Sequence, residues 1–179
     1  LRFFSTYSKK KHDPETLKII KRNIEGISRL SKERLLEELK KILNPKILIK
    51  ISKDKQTLDL IKTIFPELIY IDNFSKINSQ AKNFLNELDF LFLLSTMIID
   101  KTDNVEYFLF KYNLSKKDQN RIKIISDFYK DLASFKSLTE KNMNKILYYH
   151  GKQAVLDILL FNLFRSKKIN QNITDLIKL

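Results

Sequence analysis

The chain has 179 residues, enough for one domain or for two small helical lobes sharing a boundary. With 43% hydrophobic and 31% charged residues it has a folding composition and not a disordered one, and the lack of cysteine excludes disulfides and thiolate metal sites. The net charge of +13 favours a polyanionic partner, because Lys and Arg neutralise phosphates and release their counterions; with 28 Lys against 6 Arg, the same excess is also what AT-rich coding produces. Only two glycines and three prolines occur, which permits long helices and leaves little turn chemistry for a many-stranded sheet.

In chain order, Leu1–Tyr7 is aromatic and apolar and reads as the end of an element that begins earlier, which agrees with the missing initial Met. Lys9, Lys10, Lys11 and His12 form a basic connector. Asp13-Pro14-Glu15 predicts a helix start: a capping carboxylate, proline at the first helical position, and an acid near the positive end of the dipole. Leu17, Ile20, Ile24 and Ile27 give its apolar face, and Gly26 ends it or sits close to its end. Ser31 caps a second helix with Leu35, Leu36, Leu39, Ile42 and Leu43 on one face, stopped by Asn44-Pro45 and expected to lie antiparallel to the first. A third helix is predicted over 53–65, with Leu58, Ile61 and Ile64 inward, until Pro66.

Residues 67–77 read as an irregular connection, since a lone β-branched run has no partner strand. Helices are predicted at 79–88, 89–99, 104–111, 116–134, 139–149 and 152–164, with a short one in the tail 166–179. Ser115 and Thr139 are caps, Asn113-Leu114-Ser115 is a break, and Gly151 separates the last pair. The longest apolar run, Phe90–Ile99, is too short for a membrane span and reads as a buried core helix. The N-terminus is basic and shows no signal-peptide apolar segment. The expectation is an all-α protein.

Three separated segments resemble one family, the class II tRNA nucleotidyltransferases (CCA-adding enzymes) and related bacterial poly(A) polymerases. Leu1-Arg2-Phe3-Phe4-Ser5-Thr6-Tyr7 looks like the close of the family's "LRxxRFxxxYG" helix. Asp13-Pro14-Glu15-Thr16-Leu17, with Leu30-Ser31-Lys32-Glu33-Arg34-Leu35 through Leu39, looks like the neck pattern "DxxTL…LSxERIxxEL". Leu114-Ser115 through Arg121-Ile122 is similar to "LSNxERxRI", and Ile146-Leu147-Tyr148-Tyr149-His150-Gly151-Lys152-Gln153-Ala154 to "LLYRHGRExA" in the body.

The resemblance implies a multi-helix array of the neck and body type. Residues 1–12 would leave a catalytic head, 13–66 would form the neck, and 67–179 the helical body. The family's transferase chemistry uses a head in which two acidic residues bind two Mg ions, with ATP or CTP as substrate. This sequence shows no such acidic pair, no phosphate loop and no complete "EDxxR", so the chain is expected to be inactive alone, with no catalytic residue, metal or cofactor of its own. Implied partners are tRNA or other RNA, and a separately encoded head; the implied setting is cytoplasmic, away from membrane.

Individual residues carry two readings each. Arg2 matches a basic position beside the family's nucleotide pocket, or is an ordinary amphipathic-helix arginine, with Phe3, Phe4 and Tyr7 packing the junction. Glu33 and Arg34 match the neck "ER" pair. Adjacent helical residues lie about 100° apart, so they do not share a face, and the pair supports the nucleotide side or simply decorates a capped helix. Lys9, Lys10, Lys11, Lys18, Lys21, Arg22 and Arg29 form a basic stretch. Lys18, Lys21 and Arg22 project together, either along an RNA backbone or into solvent. Arg121 is expected to pair with an acid such as Asp118, and His150 to satisfy a helix end or join two body helices. Glu37-Glu38 is a helix-surface pair, with no hydrolytic arrangement in view. The competing readings are a helical protein-interaction module and the non-functional remnant of a split gene.

Overall fold

Helix starts follow from side-chain caps. In the computed structural model, which describes residues 13–131 and 138–166 together with Ile173 and Ile177, the Asp13 carboxylate accepts the Thr16 N–H at 3.1 Å and opens α1, Pro14–Arg22. Ser31 accepts the Arg34 N–H at 3.2 Å and opens α2, Lys32–Ile42. Asp54 opens α4, Lys55–Ile64; Asn78 opens α5, Ser79–Phe84; Asp89 opens α6, Phe90–Ile98. Asp103 precedes α7, Asn104–Tyr112, which ends on left-handed Asn113. Ser115 opens α8, Lys116–Lys130, and Thr139 opens α9, Glu140–Arg165. No strand occurs among the described residues, and the architecture is an all-α array.

Some boundaries differ from the sequence expectation. The Asn44-Pro45 pair does stop α2, but it also starts α3, Pro45–Ile51: the Asn44 side chain accepts the Lys46 N–H at 3.1 Å, and proline fits the first helical position. α1 ends before Gly26, because the Asn23 side chain donates to the Ile19 carbonyl at 2.8 Å and the chain tightens into a 3₁₀ turn, Ile24–Arg29. The expected antiparallel hairpin is not the main packing either. Among the described residues, α1 leans chiefly on that 3₁₀ turn, whereas α2 packs on α7. Segment 67–77 is irregular as expected, with a 3₁₀ turn at Ile71–Lys76 and the Tyr70 N–H donating to the Met97 carbonyl at 3.1 Å.

The core forms around α6, where Phe92 through Ile98 are all buried, in keeping with its reading as a core helix. α7, α8 and α9 pack against it. Leu36, Leu39 and Ile42 of α2, Leu48 and Ile51 of α3, and Leu58 and Ile61 of α4 join the same cluster as Phe161 and Phe164 of α9. Each such side chain contributes about 1.5–3 kcal/mol on burial. Among the described residues, Ile19, Ile20, Ile24 and Ile27 stay outside that cluster, so these positions of α1 and its turn form an arm apart from it.

Gly151 does separate two helical stretches, with φ 80° and ψ 176° inside α9. α8 is shorter than expected, and 132–137 lie outside the described residues. So do Leu1–His12 and most of the tail, where Ile173 is buried and Ile177 half-buried. Among the described residues, no helix is long and apolar enough to cross a membrane.

Candidate nucleic-acid interface

The described arginines divide into two groups. Arg22 closes α1, Arg29 closes the 3₁₀ turn, and Arg34 lies in the first turn of α2; all three are exposed, and none pairs with an acid among the described residues. Arg121 and Arg165 are consumed by the fold. Arg121 donates from Nε to Asp157 Oδ2 at 2.7 Å, from Nη2 to Asp157 Oδ1 at 2.9 Å and from Nη1 to Asp89 Oδ2 at 2.5 Å. The Arg165 guanidinium lies 3.7 Å from the Tyr70 ring centre and donates to the Ile99 carbonyl at 2.5 Å. A planar guanidinium with no acid nearby is the group best shaped for phosphate, so the free set marks the arm formed by α1, its turn and the start of α2.

The lysines reinforce this arm. Lys18, Lys21 and Arg22 are all exposed on α1. Lys18 donates to Glu15 at 2.9 Å, but both side chains are mostly exposed, and such a pair contributes at most about 1 kcal/mol, so Lys18 remains available to an anion. Lys32 is exposed at the start of α2, with Nζ 6.0 Å from the centre of the Phe110 ring. Glu33 is exposed in the same first turn, where it suits the positive helix end. Glu37 and Glu38 pair with Lys40 and Lys41 at 2.6 and 2.9 Å, which makes them surface groups as expected. Arg2, Lys9, Lys10 and Lys11 lie outside the described residues.

Arg121 does pair with acid, but not with Asp118. Its partners come from α9 and from the cap of α6, because the residue faces the core side of α8. Gln153 donates to Asp157 at 2.9 Å, so the two distal segments singled out in the sequence meet on one buried carboxylate. The bonds to Asp157, and then to Asp89, outweigh burial and hold the Arg121 charge more firmly than usual. His150 is exposed beside Tyr149, just before the Gly151 break. No group of three or more His, Cys, Asp or Glu side chains able to hold a metal ion occurs among the described residues.

Sequence reasoning missed Asp89 and Asp157 as partners of Arg121, and it missed Phe110. The acids gave no signal because they lie 32 and 36 residues away from Arg121 in the chain. Phe110 looked like one more apolar residue in a helix, and only the packing of α7 shows that its ring faces water.

Residues 11–71 match the family model described as the probable RNA and SrmB-binding site of polymerase A. That span holds α1, its turn and α2, and runs on past α4 to Ile71. No curated protein and no solved structure gave a match.

Proposed function

We propose that this chain holds RNA for 3′-end nucleotide addition, either CCA on tRNA or a poly(A) tail, while a nucleotidyltransferase head supplies the chemistry; the match of residues 11–71 to a probable RNA-binding site of polymerase A supports this reading. The observation that carries this is the coincidence of that match with three exposed arginines that pair with no acid among the described residues, Arg22, Arg29 and Arg34. Exposed Lys and Arg along one arm contact phosphates without reading sequence, which is what a holder of diverse RNA 3′ ends needs. Holding the end near a reaction centre turns a bimolecular encounter into a positioned one, and proximity supplies part of the rate. Lys9, Lys10 and Lys11 would extend the basic track toward the head, Arg2 would stand on the nucleotide side, and Glu33 and Arg34 would brace that side from the neck.

The test is a titration of tRNA and of single-stranded RNA at several salt concentrations. The expected result is an affinity that falls steeply with salt, and a K18E/K21E/R22E variant that binds at least about tenfold more weakly. Wild-type protein that shows no RNA binding, or binding insensitive to salt, would refute the reading. Adding a separately expressed head and assaying nucleotide incorporation then asks whether the chemistry is completed in trans.

A second reading has its own observation. The matched description names a protein, SrmB, beside RNA, and Ile19 and Leu30 are exposed apolar residues within the matched span. A protein contact on that arm predicts that Ile19→Ser and Leu30→Ser lower affinity for such a partner and leave RNA affinity unchanged.

A further inference from the structure

α7 is held firmly and presents one aromatic ring to water. The Asn104 side chain donates to the Glu67 carbonyl at 2.9 Å and to the Ile98 carbonyl at 2.7 Å, and Lys111 pairs with the buried Glu67 carboxylate at 2.6 Å. Phe108 and Leu109 are buried, yet Phe110, between Leu109 and Lys111, is 82% exposed. A single exposed apolar residue needs no explanation by itself. The setting of Phe110 does. Its ring forms one wall of a groove of ≈ 450 Å³ between the start of α2 and the facing sides of α7 and α8, with Lys32, Glu106, Asn113, Gln119 and Lys123 around it.

We infer that this groove takes one unpaired nucleotide of an RNA strand, with the base stacked on Phe110 and the flanking phosphates against Lys32 and Lys123. The inference rests on the RNA-holding reading above and adds a station to it. Lys32 belongs to the matched span and lies between Arg29 and Arg34, so the groove continues the basic arm. Its charge suits a phosphate. The Glu106 carboxylate, the acid among the residues around the groove, accepts from Lys130 at 3.0 Å, which leaves Lys32 and Lys123 as the cations facing the opening. A flat apolar ring beside cations is the combination that binds single strands, because every base has a π-face to stack while the cations follow the backbone. A base inside a duplex has no free face to offer, so the strand must be unpaired at this point. Gln119 donates its amide N–H to the Leu114 carbonyl at 2.8 Å and retains its oxygen as an acceptor, and the Asn113 amide stands beside it, so polar groups are at hand for a base edge.

The experiment uses the full chain with a single-stranded RNA carrying 2-aminopurine, whose fluorescence is quenched on stacking, and a blunt RNA duplex as control. Wild-type protein is expected to quench the probe. Phe110→Ala should abolish the quenching and weaken single-strand binding about tenfold, with duplex binding and the salt dependence unchanged. Phe110→Tyr should restore both. Lys32→Ala should keep the quenching but lower the salt slope by about one phosphate contact. Because the Phe110 ring is exposed, the alanine variant should melt as wild type does, which separates lost stacking from lost fold. Equal quenching and affinity in wild type and Phe110→Ala would overturn the inference while leaving RNA holding intact, whereas no RNA binding by wild type would remove the underlying reading instead. Unchanged RNA binding together with a loss of self-association in sedimentation would also overturn it, and would give Phe110 to a protein contact.

Discussion

Arg121 grips Asp157 at two points, Nε to Oδ2 at 2.7 Å and Nη2 to Oδ1 at 2.9 Å, and so ties α8 to α9. Asp157 is buried, and its Oδ1 also accepts from Gln153. A third bond, from Nη1 to Asp89, reaches the cap of α6. One guanidinium thus ties three helices together.

Removing one partner of this pair leaves the other charge buried without compensation. Arg121→Leu should therefore lower stability by about 3–5 kcal/mol, read as a shift in the urea midpoint. Arg121→Lys should recover only part of the loss, since an ammonium cannot make the two-point bond. Salt-dependent RNA affinity, measured on the fraction that remains folded, should be unchanged. A variant that folds normally but loses RNA binding would show that Arg121 touches RNA after all.

The helix starts were legible because capping is local: Asp13, Ser31, Ser115 and Thr139 each satisfy an N–H three residues on, within reach of sequence inspection. Burial in α6 was legible from its unbroken apolar run. The α3 start was hidden because Asn44-Pro45 carries the same signal for ending one helix as for beginning another. The site was harder to see. A basic residue's availability depends on which acids the fold brings to it, and the partners of Arg121 come from distant helices, while Arg22, Arg29 and Arg34 are defined by acids that do not arrive. Nothing in the local sequence separates those two fates.

Gly151 offers a test of backbone conformation without a packing effect. A Cβ placed there meets nothing within 4 Å, but the φ of +80° and ψ of 176° belong to a region that only glycine enters easily. Gly151→Ala should cost about 1–3 kcal/mol in a thermal or urea melt. Gly26→Ala, equally open but without a positive φ, should change stability by less than about 1 kcal/mol. Equal effects of the two substitutions would show that Gly151 matters through space or flexibility and not through its dihedrals.

The division of the arginines predicts two kinds of variant. Arg22→Ala, Arg29→Ala and Arg34→Ala should each leave the melt nearly unchanged, weaken binding of all RNA sequences alike, and reduce the salt slope by about one. Arg165→Ala should behave in the opposite way. It removes a guanidinium stacked on Tyr70 and bonded to the Ile99 carbonyl, so the melt should fall while the slope stays. A salt slope indifferent to all three outer arginines would move the RNA contact elsewhere on the chain.

Glu106 links stability to affinity with opposite signs. Burial works to raise its pKa, but the bond from its own backbone N–H and the Lys130 ammonium at 3.0 Å outweigh it, with Lys123 adding to them, and the carboxyl titrates below its ordinary 4.5. A folded-state pKa lower than the unfolded one means that the unfolded chain takes up the proton first. The contribution is therefore present above pH 4.5 and is lost as the pH falls through the lower folded value. The side chain is half exposed, so the effect is small, at most about 1 kcal/mol. Glu106→Gln should melt slightly lower than wild type at neutral pH, and the gap should close as both are taken into acid below the ordinary carboxyl range. The same substitution removes the acid beside the Phe110 groove, releases Lys130 and takes away the negative charge that acts on Lys123. Single-stranded RNA should then bind more tightly, with a steeper salt slope, in the variant that is the less stable of the two. Tighter binding without any change in the acid limb of the melt would mean that Glu106 acts on RNA alone, and a flat response in both would break the link between this carboxylate and the groove.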